Sequence, residues 1–176
     1  VMDEALYRLH TAGQPHGIIA GFDADSTCAS NYLTSIIAHY NKKPETKGTS
    51  IYFAHPLAGD TYPEEIYAYI HDYELYLRYY RMGLHHAGHP HAFHTIGSAF
   101  TVRADIYARE GGMNKRKAGE DFYFLHKIIP LGGFYELNDT AVYPSPRPSD
   151  RVPFGTGAAI SSLLEHKPES FLTYHP

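Results

Sequence analysis

The sequence has no tryptophan and a single cysteine, Cys28, among 176 residues. A lone thiol closes no internal disulfide, so stability must come from a buried core, and the composition fits a reducing compartment. The expected location is the cytoplasm or the cytoplasmic face of a membrane. Long hydrophobic runs are also lacking. Apolar stretches such as Gly17–Phe22 last only a few residues, whereas a membrane-spanning helix needs roughly 20. No transmembrane segment is expected, which leaves peripheral association as the only membrane contact. Nor is there an excess of positive charge. The formal charge of −4 offers no basic footprint, so nucleic acid is not an expected partner. The chain is instead rich in two residue types, with 13 histidines and 16 tyrosines. With histidine titrating near ~6.5, mild acid could reverse the sign of the net charge. The 43% of hydrophobic residues is globular in proportion, and the length suits one domain over residues 1–176.

Periodicity sets out an alternation of strands and helices, hence an α/β fold. Met2 to Leu9 reads as an amphipathic helix with Met2, Leu6 and Leu9 on one side. Gly17–Phe22 reads as a buried central strand and Thr49–Ala54 as a second. Between them, Ser30 is placed to cap a helix through Tyr40 that turns Leu33, Ile36, Ile37 and Tyr40 inward. Pro63 to Met82 has the clearest helical pattern. Ile66, Ile70, Tyr73, Leu77 and Tyr80 follow three-four spacing, Glu64 and Glu65 suit the first turn, and Gly83 the exit. A strand is expected around Ser98–Val102 and a helix over Gly119–Ile129. Phe134–Leu137 and Ala141–Tyr143 read as paired strands around Asn138-Asp139, and Ala158–Glu165 as a last helix.

The strongest local signal is Ile18-Ile19-Ala20-Gly21-Phe22-Asp23-Ala24-Asp25. An apolar strand delivers two carboxylates, one residue apart, to the carboxyl edge of a sheet, where open α/β sheets bind ligands. Two hard oxygen donors suit Mg²⁺ or Mn²⁺, with substrate phosphates completing the shell. A polar turn before the next helix would explain the same residues without function. An EF-hand fails, because Thr27 and Cys28 stand where an acidic or amide residue and glycine are needed. Asp23, Asp25 and Thr27 also resemble the Asp-x-Asp-x-Thr of haloacid-dehalogenase-like phosphatases, with Asp23 as nucleophile and Asp25 as general acid. That family's later acidic pair, however, is not found in its expected order and context.

Downstream, Phe93-His94-Thr95-Ile96-Gly97-Ser98-Ala99-Phe100-Thr101-Val102-Arg103 is followed by Gly111-Gly112 and then Gly119-Glu120-Asp121-Phe122. With the aspartate pair, this ordered series resembles glycosyltransferase family 2 from about Ile18 to Gly133. Each piece alone is weak; the order makes the set specific. The resemblance implies a GT-A-like mixed sheet flanked by helices and a metal-dependent inverting transfer from a nucleoside-diphosphate sugar to a carbohydrate or lipid-linked acceptor. It implies that Asp23 and Asp25 hold ribose and the diphosphate-bound metal, Mn²⁺ or Mg²⁺. Gly97 and Ser98 would form the acceptor floor, Asp121 would be the base, and Glu120 would orient the acceptor or loop. It further implies that the chain corresponds to the second half of a catalytic domain, without the nucleotide-binding βαβ half, and is inactive alone. A non-catalytic binding domain on the same fold is the alternative from another class.

A carboxylate at a helix start, as at Asp121, is expected to stay ionised. Arg147 and Arg151 lie in the loop Pro144–Gly157 and are candidates to close over the donor diphosphate, since guanidinium forks suit phosphate. The segment His85–His94 holds five histidines in ten residues, and most of its rings are expected to face solvent. His94, near the acceptor strand, is a candidate acceptor contact, and His91 or His94 could touch substrate or metal. The tyrosines from Tyr67 to Tyr80 are expected to pack as core rather than form a sugar platform.

Overall fold

A computed structural model describes residues 1–114, 119–153 and 155–166. In chain order the elements are α1 (Met2–Thr11), β1 (Ile18–Gly21), β2 (Thr27–Cys28), α2 (Tyr32–Lys42), β3 (Gly48–Phe53) and α3 (Glu64–His86). There follow β4 (Phe100–Arg103), α4 (Ala104–Arg109), α5 (Glu120–Ile128), β5 (Phe134–Tyr143) and α6 (Thr156–His166). The fold is mixed α/β. One five-stranded sheet has the order β1-β4-β3-β5-β2. β4 is antiparallel to both β1 and β3, β3 is parallel to β5, and β2 is antiparallel to β5.

The helices cover the sheet because alternate strand residues point to opposite sides. On one face Ile19, Phe100, Val102 and Phe134 pack beneath Phe124, Leu125 and Ile128 of α5 and Ile106 and Tyr107 of α4. The apolar side of α1, through Met2, Leu6 and Leu9, joins this core as expected. A second core joins Ile51, Phe53, Leu137 and Val142 to Tyr32 and Ile36 of α2. A third joins Ile66 and Ile70 of α3 to Ile160 of α6. Among the described residues, no helix is long and apolar enough to cross a membrane.

Several expectations are corrected. β1 is an edge strand, paired with β4 alone among the described residues, rather than a buried central one. The α2 helix starts at Tyr32 with Asn31 at its N-cap, not Ser30, and its buried face is set by Tyr32 and Ile36. Leu33 and Ile37 are 68% and 54% exposed, because one step of helical rotation carries them off the sheet. The α3 helix runs through Gly83 to His86, and Tyr80 lies outside its buried face. Tyr76, Tyr79 and Tyr80 are exposed, with Tyr76 stacked between Tyr73 and Tyr80, so only part of the tyrosine stretch is core.

The region around Asn138-Asp139 is not a hairpin. Phe134–Tyr143 is one strand whose register against β3 slips between the Ile51–Leu137 and Tyr52–Ala141 pairs. Asn31 secures the irregularity: its amide donates to the Asp139 carbonyl at 2.9 Å, and its carbonyl accepts from the Thr140 hydroxyl at 3.0 Å. An Asn-Asp pair thus marks a bulge here, not a turn.

Candidate active site

The topology brings four distant segments to one edge of the sheet. β1, β3 and β5 run in the same direction, so their carboxyl ends share that edge. β4 runs the other way, and the Gly21–Phe100 pairing sets the residues before β4 beside those after β1. Asp23 and Asp25 therefore leave β1 next to Gly97. The loop carrying Arg147 and Arg151 leaves β5 just beyond Tyr143, which pairs with Thr27.

Asp121 enters from the first turn of α5. Its Oδ1 accepts the Phe122 backbone N–H at 2.8 Å, which leaves Oδ2 for other contacts. That oxygen fills the space a Gly97 side chain would need: a β-carbon there would lie 2.5 Å from Oδ2. Glycine at 97 thus lets the carboxylate occupy this position. Gly119 precedes the acidic pair with φ of 71°, a left-handed turn that favours glycine.

The carboxylates of the cluster act on one another through their charges. Burial pushes the Asp121 carboxyl above the usual carboxylate range, and Glu120 and Asp23 push the same way against the Phe122 N–H. The shift runs opposite to the one a helix start alone favours, because desolvation and neighbouring carboxylates outweigh a terminal dipole. Asp23 is likewise raised, by burial and then by Asp25, with Arg151 opposing and Glu120 adding. Arg147 donates to Asp25 Oδ2 at 3.1 Å. Both arginines of the loop therefore face the aspartates. Phe154, in the same loop, lies outside the described residues.

The other candidates are placed differently. Ser98 is 2% exposed, so Gly97, not the Ser98 hydroxyl, presents surface. His94 stands apart from the carboxylates, with its ring edge-on to Phe53 at 5.0 Å. Burial and the Arg78 and Arg81 charges lower its pKa to about 4. His91 lies between His89 and His126, at ring separations of 5.7 and 6.4 Å. Its Nδ1 is buried with no hydrogen-bond partner among the described residues.

One group was missed by sequence reasoning. His55, whose side chain is fully buried, shares Nδ1 with Glu74 Oε2 at 2.8 Å and Nε2 with Thr156 Oγ1 at 3.2 Å. Glu74 also takes Arg78 at 2.7 Å, which helps to hold its carboxyl down at about 2. This chain fastens α3 to the start of α6, where the arginine loop ends. Its only sequence cue is His55-Pro56 directly after an apolar strand.

Among the described residues no three His, Cys, Asp or Glu side chains converge to hold a metal ion. Asp23 and Asp25 offer two hard oxygen donors at a spot where Arg147 and Arg151 offset only part of the charge of the neighbouring carboxylates. That donor set suits a cation that takes its remaining ligands from water and substrate phosphates. No family model matches the chain, and neither a curated protein nor a solved structure matches it.

Proposed function

We propose that the protein is a metal-dependent inverting glycosyltransferase of the family 2 kind, acting on a nucleoside-diphosphate sugar and an acceptor hydroxyl. The carrying observation is the convergence of Asp23, Asp25, Glu120, Asp121, Arg147 and Arg151 at one sheet edge, with Gly97 against the Asp121 carboxylate. In this reading Asp23 and Asp25 hold Mn²⁺ or Mg²⁺. The bound cation would stabilise the charge that develops on the departing diphosphate. Arg147 exchanges its contact with Asp25 for the donor diphosphate, and Arg151 supplies a second positive charge beside it. Asp121 takes the acceptor proton at Oδ2, the oxygen its backbone contact leaves available. A carboxylate with raised proton affinity is a better base than an ordinary one. Burial sustains most of that raised affinity, and the Glu120 charge adds to it.

The phosphatase alternative calls for a lysine beside Asp23. Among the described residues, the charges acting on Asp23 come from Asp25, Arg151 and Glu120. The decisive experiment compares two variants of the full-length protein. Asp25→Asn should weaken metal-dependent donor affinity. Asp121→Asn should keep that affinity and lower single-turnover transfer roughly 10²-fold, the scale of a lost general base. Wild-type transfer by Asp121→Asn would refute the assignment. A protein that binds neither divalent metal nor nucleoside diphosphate would be the non-catalytic domain instead.

A further inference from the structure

Apart from the acidic cluster, β3, β5, α3 and the segment before β4 line an open-sided cavity of about 390 Å³. Its chemistry is set by Tyr52, Arg78, Arg81, His94, Glu136 and Asn138. None of these belongs to the carboxylate site, and the volume is at the small end of ligand pockets.

The hydrogen bonds of its arginines leave capacity unspent. Arg78 directs Nε and Nη2 to Glu74, and Nη2 also to the Phe53 carbonyl. Arg81 directs Nε to the Ala92 carbonyl and Nη2 to Glu136. Each guanidinium is thereby fixed in place by its partners, yet its Nη1 has none among the described residues. The Asn138 amide is equally without one. These donors are not buried, so water satisfies them and a ligand can take them in its place.

The charge of the wall is unequal. Each guanidinium is paired with a carboxylate, Arg81 with Glu136 at 2.6 Å and Arg78 with Glu74 at 2.7 Å, but only Glu136 lines the cavity, since Glu74 lies behind Arg78 with its side chain 12% exposed. His94 adds no charge at neutral pH: burial and the two arginines keep its ring unprotonated. Tyr52 supplies an aromatic ring that is 43% exposed and lies 5.2 Å from the Arg78 guanidinium. A pocket with two guanidinium forks, amide and carboxylate groups for hydroxyls, and a partly exposed aromatic ring suits a sugar with one negative group.

We propose that this cavity binds an anionic sugar, a uronate or a sugar phosphate, with its anion between Arg78 and Arg81 and its ring against Tyr52. The site stands on its own residues and does not require the transferase reading.

The test is calorimetric titration of the full-length protein, at low salt, with glucuronate, glucose 6-phosphate, glucose, acetate and inorganic phosphate. Glucuronate or glucose 6-phosphate should bind at least tenfold tighter than glucose, and tighter than acetate or phosphate alone. The tighter of the two identifies the anion as carboxylate or phosphate. Arg81→Met combined with Glu136→Gln, which leaves no unpaired carboxylate, should lower that affinity roughly tenfold or more. Asn138→Ala, at an exposed position unconnected to the core, should weaken it severalfold. Glucose binding as tightly as the anionic sugars would overturn the proposal, as would wild-type affinity in both variants or no binding by either anionic sugar. Sugar-phosphate or uronate binding by a protein that transfers no sugar would support the cavity while refuting the transferase reading.

Discussion

Gly97→Ala is the substitution that most sharply separates function from folding. Position 97 needs no left-handed backbone, so the whole effect comes from the added methyl group. That methyl would lie 2.5 Å from Asp121 Oδ2 and 3.3 Å from Cγ. An ordinary carbon–oxygen contact is about 3.3 Å, so the carboxylate must retreat by roughly 0.8 Å. The obstructing atom is the end of a side chain on the first turn of α5, and it can rotate away. Stability should therefore fall by less than about 1 kcal/mol, or a few degrees in Tm. Displacement by nearly an ångström at the proposed base should be far more serious for chemistry, on the order of 10² in rate. The assays are thermal unfolding, sugar transfer under saturating donor, and the ¹³Cγ titration of Asp121, which should move with the carboxylate. Unchanged transfer and an unchanged titration curve would refute the placement of Asp121 beside Gly97 as the productive geometry.

Three further outcomes are expected. Because Asp121 titrates above its ordinary 3.8, its contribution to stability is complete below that value and is lost as pH rises through the raised one. Asp121→Asn should thus raise Tm by roughly 2 °C or more at pH 7 and leave it unchanged at pH 3, as differential scanning calorimetry would reveal. Glu74 has the opposite sign: held down at about 2 against an ordinary 4.5, it stabilises above 4.5 and fails as pH falls through about 2. Glu74→Gln should cost roughly 3 kcal/mol in urea at pH 7, since it breaks a buried pair with His55 and Arg78, and it should flatten the acid limb of stability. Ile37→Lys, at a position 54% exposed, should change stability by no more than about 0.5 kcal/mol, a test of the rotation assigned to α2.

Local pattern carried most of the element placement. The apolar run before Asp23, the three-four spacing of α3, and the punctuation after α5 by Pro130 and Gly132-Gly133 each matched an element within a few residues. What the pattern could not convey was the partner of each element. Ile18-Ile19-Ala20-Gly21 is apolar enough for a central strand, yet among the described residues it pairs with β4 alone, while Met2, Leu6 and Leu9 of α1 join the core beside Ile19. Leu33 and Ile37 satisfy the same spacing rule as Ile36, and only the sheet decides which stripe faces in. Gly83 ends no helix, since helix continuation from Leu84 to His86 outweighs the modest cost of one glycine. The candidate site was legible as separate pieces. Asp23, Asp25, Glu120, Asp121 and both arginines do meet, but the raised affinity of Asp121 for a proton depends on burial, which spacing does not encode. The His55–Glu74–Thr156 chain spans about 100 residues, and its one local cue, His55-Pro56, names neither partner.

The central claim is that the carboxylate cluster at the sheet edge holds a divalent metal together with a diphosphate. Paramagnetic relaxation by Mn²⁺, read residue by residue in NMR spectra of the full-length protein with and without UDP, GDP or dTDP, tests it most directly. The account predicts that one nucleotide strengthens Mn²⁺ binding and that broadening centres on Asp23 and Asp25, reaches Gly97 and Glu120–Asp121, and includes Arg147 and Arg151. Broadening confined to the histidines of His85–His94, or no nucleotide-dependent broadening at Asp23 and Asp25, would contradict it.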